Sequence, residues 1–133
     1  MHAHALSLLE DHLKPGMKAL DVGSGSGVLC SMMCRMVTEG GASGKIVGID
    51  YIKALVDMAD RNIRKGSEKT FLENGTIVLH QGDGWKGVPE SAPYDAIHVE
   101  QKKCQKVKQN IQKVERNIQK VTKTFDLSYF IAE

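Results

Sequence analysis

With 133 residues, 41% apolar and 26% charged, the chain has the length and composition of a single globular domain, which excludes disorder throughout. A net charge of +2 is too small to argue for nucleic acid as a partner, and no apolar run approaches the roughly 18 residues that a membrane span requires. Its three cysteines form an odd set without a framework spacing, and Glu10 and Asp11 interrupt the early apolar run, so no secretory leader is read and a reduced cytoplasm is the expected compartment.

In chain order, His2 to Leu13 sets Leu6, Leu9 and Leu13 at helical spacing, and Lys14, Pro15 and Gly16 stop that predicted helix. His2 and His4 form an HxH pair, but residues two apart on a helix diverge, so no metal is expected there. A short apolar run then ends in Asp21 and passes through Val22, Gly23, Ser24, Gly25 and Gly27 before Val28 and Leu29 restart a pattern. This reads as strand, tight turn, helix. Glycine belongs in such a turn because the backbone needs positive φ and because a ligand can lie against the main chain only where no Cβ intervenes. The helix that follows aims its free N–H groups at the same spot.

Val28, Leu29, Met32, Met33, Met36 and Val37 are the expected buried stripe of that helix, which Gly40 and Gly41 end. Cys30 and Cys34, one turn apart, suit packing better than a disulfide, whose geometry this spacing does not meet. Lys45 to Asp50 is a nearly continuous apolar run, as in a strand covered on both faces. A helix over Ile52 to Arg64 follows, with Ile52, Leu55, Val56, Ala59 and Ile63 on one side. Asn74 and Gly75 turn the chain into a third strand, Thr76 to Gln81, which runs into Gly82, Asp83 and Gly84. Tyr94 to Val99 is the fourth strand, and the alternation of His98 with Ile97 and Val99 makes it a strand-face histidine rather than a base. Strand and helix in alternation predict a doubly wound, Rossmann-like α/β sheet of order 3-2-1-4, with a ligand at the switch beside the first strand.

The ligand is constrained by glycine register and by charge. The dinucleotide fingerprint GxGxxG wants its third glycine at position 28, where this chain has Val28; the glycine stands at Gly27 instead. Asp21, Asp50 and Asp83 follow three apolar runs, and three carboxylates at one sheet edge would repel a pyrophosphate. They would attract a ligand carrying a sulfonium and an ammonium while accepting hydrogen bonds from ribose hydroxyls. S-adenosylmethionine is such a ligand. Asp50 lies about 20 to 25 residues past the loop, a spacing that fits a nicotinamide cofactor equally well.

The segments MHAHALSLLEDHLKPGMKALDVGSGSGVL, GKIVGIDYIKALVD, QGDGWKG and APYDAIHV resemble consecutive blocks of the protein-L-isoaspartate (D-aspartate) O-methyltransferases, from Met1 to about Val99. The resemblance implies S-adenosylmethionine as cofactor and methylation of isoaspartyl carboxylates in damaged proteins, a protein repair reaction. By the same analogy His2 falls where a histidine approaches the cofactor, and Asp83 lies near the adenine. The implied cofactor-binding set is His2, Asp21, Val22, Gly23, Ser24, Gly25, Asp50, Tyr51, Asp83 and Gly84; no residue is singled out as catalytic. Trp85 either covers the adenine or anchors its loop. In the family a serine-bearing segment lies upstream of the block that opens this chain, and a small-residue loop follows Val99, where this chain reads EQKKCQKVKQN. The expectation is therefore a chain truncated at its amino terminus and divergent after Val99, with an impaired form that binds S-adenosylmethionine or a protein partner without turnover as the alternative to an active enzyme.

From residue 100 the pattern changes. Cys104, Val107, Ile111, Val114, Ile118, Val121 and Phe125 step by threes and fours, and NIQKV at Asn110–Val114 recurs at Asn117–Val121. Residues 100–133 are thus expected to form a Lys-rich amphipathic helical tail beside a cofactor-binding domain over 1–99. The stripe fits a helix folded over strand four, a short coiled coil through which the chain associates with itself or a partner, or a terminus produced by altered splicing. The lysines read as a solvated face rather than a nucleic-acid surface.

Overall fold

The computed structural model describes residues 2–100 and 130–132. Within them α1 spans His2–Leu9, β1 Lys18–Val22, α2 Val28–Val37, β2 Lys45–Asp50, α3 Lys53–Lys65, α4 Lys69–Glu73, β3 Ile77–Gln81, β4 Ala96–Val99 and β5 Phe130–Ala132. All strand pairings are parallel and the sheet order is β3-β2-β1-β4-β5. The expected order 3-2-1-4 is present. Added to it is β5, which pairs with β4 in the register Ile97↔Phe130 to Val99↔Ala132, inside the stretch read from sequence as helical. The rest of that stretch, including the heptad stripe, lies outside the described residues.

Strand alternation divides the core in two. Ala19, Ile46, Ile77 and Ala96 face the helices, where Ala5, Leu9, Leu13, Leu29, Cys30, Met33, Cys34, Val37 and Ile63 cover them. Leu20, Val47, Ile49 and Ile97 face the other way and pack with Val88 and Tyr94 from the segment before β4. Tyr94 fixes that segment by donating its hydroxyl to the Val88 carbonyl at 2.7 Å.

Two helices differ from expectation. α1 ends at Leu9, and hydrogen-bonded turns, with Leu13 N donating to the Leu9 carbonyl at 2.7 Å, carry the chain to Pro15. α2 buries Leu29, Cys30, Met33, Cys34 and Val37, while Val28 and Met32 are exposed. The inward face is therefore rotated from the expected stripe, and both cysteines are free, buried packing residues. Among the described residues no helix is long and apolar enough to cross a membrane.

Candidate functional site

Because the strands are parallel, their carboxyl ends share one edge of the sheet, and the connections on the two sides of β1 leave it in opposite directions. Such a switch point opens a crevice. Here it is a cleft of about 590 Å³ lined from β1 by Val22, Gly23 and Gly25, from β2 and α3 by Ile49, Asp50, Tyr51, Ile52 and Leu55, from the turn after β3 by Asp83, Gly84 and Trp85, and from the end of β4 by Val99 and Glu100.

The glycine turn is built as its sequence requires. Gly23, Gly25 and Gly27 all take positive φ, at 83°, 51° and 81°. The turn is held against β2 by Gly23 N and Ser24 N, which both donate to the Ile49 carbonyl at 2.9 and 3.2 Å. Asp50, the last residue of β2, ties the two together: one carboxylate oxygen accepts from Gly25 N at 3.1 Å and the other from Ile52 N at 3.0 Å. Each oxygen keeps a further lone pair for a ligand hydroxyl. Asp83 caps the single turn Gly84–Lys86 by accepting from Trp85 N at 3.0 Å. Gly84 is required by proximity, since a Cβ there would stand 2.5 Å from Val22 Cγ1 in the cleft wall.

Of the ten residues expected from sequence, Val22, Gly23, Gly25, Asp50, Tyr51, Asp83 and Gly84 line the cleft together. Three do not. Ser24 is buried behind the turn, and His2 is exposed on α1. Asp21 is the substantive correction: it is 1% exposed and faces the helix side of the sheet. Its carboxylate lies 2.8 Å from Nδ1 of His98, its register partner on β4, and accepts from Cys30 Sγ at 3.2 Å. Burial, then the neighbouring Asp21 charge, pushes the Cys30 thiol well above its ordinary pKa. Asp21 thus joins β1, β4 and α2 from behind the cleft. His98 is a strand-face histidine, as its alternation implied.

Glu100 and the apolar Ile49, Ile52, Leu55 and Val99 were missed. Ile52 and Leu55 were placed on the apolar side of the helix, with no ligand contact read from them. Ile52 is 51% exposed, Tyr51 77% and Trp85 40%, giving the cleft an apolar wall beside its carboxylates. Among the described residues three acidic side chains line the cleft, and no Lys or Arg does. Such a lining disfavours a pyrophosphate and suits a ligand with an apolar ring, vicinal hydroxyls and positive charge. Among the described residues no group of three or more His, Cys, Asp or Glu is placed to hold a metal ion.

Residues 1–115 match the family model described as protein-L-isoaspartate(D-aspartate) O-methyltransferase. Over 99 residues the chain is 57% identical to protein-L-isoaspartate O-methyltransferase 2 of Arabidopsis thaliana, covering 74% of this chain and 31% of that protein. It is 50% identical over 99 residues to the protein-L-isoaspartate O-methyltransferase of Caenorhabditis elegans, covering 74% and 42%. A Plasmodium falciparum structure assigned to the same enzyme class, in complex with S-adenosyl-L-homocysteine, is 28% identical with a TM-score of 0.68, over 80% of this chain and 52% of that one. The chain spans less than half the length of the curated relatives it matches.

Proposed function

Because the chain belongs to the protein-L-isoaspartate(D-aspartate) O-methyltransferase family, we propose that its cleft binds S-adenosylmethionine and presents the methyl group to an isoaspartyl carboxylate of a damaged protein. The observation that carries this reading is Asp50, held by two backbone N–H groups at the mouth of a glycine turn in a cleft whose lining, among the described residues, is acidic and apolar with no basic side chain. Asp50 would accept from the ribose hydroxyls, and Ile52, Leu55 and Trp85 would flank the adenine, with Asp83 placed to accept from its amino group. Gly23 and Gly25 would let the methionyl part lie against the backbone.

When bound, the sulfonium supplies an activated methyl group. A substrate carboxylate with a pKa near 4 is ionised at neutral pH and needs no general base. The protein's task is then alignment of nucleophile, methyl carbon and leaving sulfur, which is where an enzyme of this kind gains most of its rate. The rigid turn and the strand ends serve that task on the donor side. Damaged proteins or peptides are the proposed partners, and the cytoplasm is the proposed compartment. A division at residue 99, with Phe130–Ala132 returning to the sheet as β5, and self-association through the Lys-rich segment belong to the same proposal.

The test is calorimetry with S-adenosylmethionine, followed by transfer of labelled methyl to an isoaspartyl peptide and to its aspartyl counterpart. Donor binding and methylation of the isoaspartyl peptide alone are expected. Folded chain that does not bind the donor refutes the reading, and binding without transfer removes the catalytic half of it.

A further inference from the structure

We propose that Glu100 recognises the cationic methionyl end of the donor, an inference that rests on the proposed function. Glu100 directly follows the block APYDAIHV and lies within residues 1–115, the stretch that matches the family model. Its backbone is fixed: Glu100 N donates to the Val22 carbonyl at 3.0 Å, extending the β1–β4 pairing past Val99. Its side chain lies across the glycine turn. Glu100 Cβ is 3.5 Å from where a Cβ on Gly23 would stand, and Oε2 is 3.9 Å from the equivalent point on Gly25. Both are ordinary van der Waals separations, so the Glu100 side chain lies in contact range of the turn.

Position along the sheet edge decides which part of the donor it meets. Across the order β3-β2-β1-β4 the cleft presents Asp83 and Trp85, then Asp50 with Ile52 and Leu55, then the glycine turn, then Glu100. With the ribose on Asp50 and the adenine on the apolar side towards β3, the methionyl part extends over β1 and β4. That part carries the ammonium and the sulfonium. Asp21, the acid nearest to the turn in sequence, is turned away behind β1, so among the described residues Glu100 is the carboxylate that lines this end of the cleft. An opposite charge here favours a cationic ligand over a neutral one of the same shape.

Three ligands separate the parts of the donor: S-adenosylmethionine has both cations, S-adenosylhomocysteine only the ammonium, and 5′-methylthioadenosine neither. Their affinities are measured by calorimetry on the wild-type chain and on Glu100→Gln, which keeps the side-chain shape, with thermal melts confirming that both are folded. The expected result is about tenfold weaker binding of S-adenosylmethionine by Glu100→Gln, with 5′-methylthioadenosine changed by less than about twofold. S-adenosylhomocysteine weakens in parallel with the donor where Glu100 meets the ammonium and is spared where it meets the sulfonium; either pattern supports the inference. Unchanged S-adenosylmethionine binding, or an equal loss for all three ligands, overturns it. Failure of the wild type to bind any of the three overturns the proposed function itself, and this inference with it.

Discussion

Replacing Gly27 by alanine tests whether the glycine turn is also the point where α3 closes against the fold. Gly27 has φ +81°, and a Cβ there would stand 2.9 Å from Ala59 Cβ, 3.1 Å from Ile63 Cδ1 and 3.2 Å from Ala59 Cα. Both neighbours are buried on α3, so the helix itself has to yield. Left-handed backbone costs an L residue about 1–2 kcal/mol, and an extra methyl in a filled site adds about 1–3 kcal/mol. The unfolded chain loses entropy on the same substitution, which offsets about 0.4–1 kcal/mol, leaving a net loss of about 1–4.6 kcal/mol, centred near about 3 kcal/mol. Gly75 is the internal control: its φ is +79°, but nothing lies within 4 Å of its Cβ position, so Gly75→Ala should lose only about 1 kcal/mol. Urea unfolding of the two variants, compared at unchanged slope, reads the difference directly. Ala59→Gly in the Gly27→Ala background should restore part of the loss, a coupling that backbone strain alone does not produce. Equal destabilisation by Gly27→Ala and Gly75→Ala would refute the close approach as the reason for glycine at position 27.

Two further outcomes follow from the site and the core. Asp50→Asn keeps the side-chain shape but has one acceptor oxygen for the two N–H groups of Gly25 and Ile52, so an amide donor is forced against one of them. A stability loss of about 1–3 kcal/mol with weakened binding of adenosyl ligands is expected, and calorimetry that finds wild-type affinity for S-adenosylmethionine argues against a ribose contact at Asp50. Alkaline stability has a definite sign. Burial and then the nearby Glu68 charge push Cys34 from 9.0 to about 11, and burial first of all pushes Tyr94 from 10.0 to about 12. Both groups release protons more readily when unfolded, so their contribution is complete below about pH 9 and is lost as pH rises through 9–11 for Cys34 and 10–12 for Tyr94. Urea midpoints taken from pH 8 to 11 should fall, and peptide-mapped alkylation of Cys30 and Cys34 should track unfolding; a flat stability profile contradicts the burial argument.

How far the fold was legible depended on the length of each signal. β2 runs from Lys45 to Asp50 as expected because an uninterrupted apolar run between Gly44 and an acid has one reading in a covered sheet. α2 was misjudged in its facing, because the periodicity was taken from its large side chains. Gly48 explains the rotation: a Cβ there would lie 3.0 Å from Cys30 Sγ, so the helix comes close enough to β2 for small residues to take the inner positions. The strand Phe130–Ala132 is three residues long and has no period to detect. The site followed the same rule. Gly23, Gly25 and Gly27 announce the turn through a backbone need that few other residues meet, whereas Ile52 and Leu55 carry the same apolar signal whether a helix stripe meets the core or a ligand.

Asp21 shows what kind of information is missing when an acid is assigned to a site by its place beside a glycine turn. Asp50 is the last residue of its strand, and Asp83 and Glu100 lie past the ends of theirs, where the chain is leaving the sheet and a side chain can turn into the cleft. Asp21 stands one residue earlier, with Val22 still in register against both Ile49 and Val99, so the pleat decides its direction. Ala19 on the same face packs among the helices, which sends Asp21 inward and Val22 towards the cleft. A carboxylate sent inward has to be partnered, and His98 and Cys30 meet that requirement from β4 and α2. The same contacts bind β1 to β4 immediately below Gly23 and Glu100. The residue turned away from the cleft therefore fixes the spacing of two that line it, and among the described residues the cleft's third acidic side chain is Glu100.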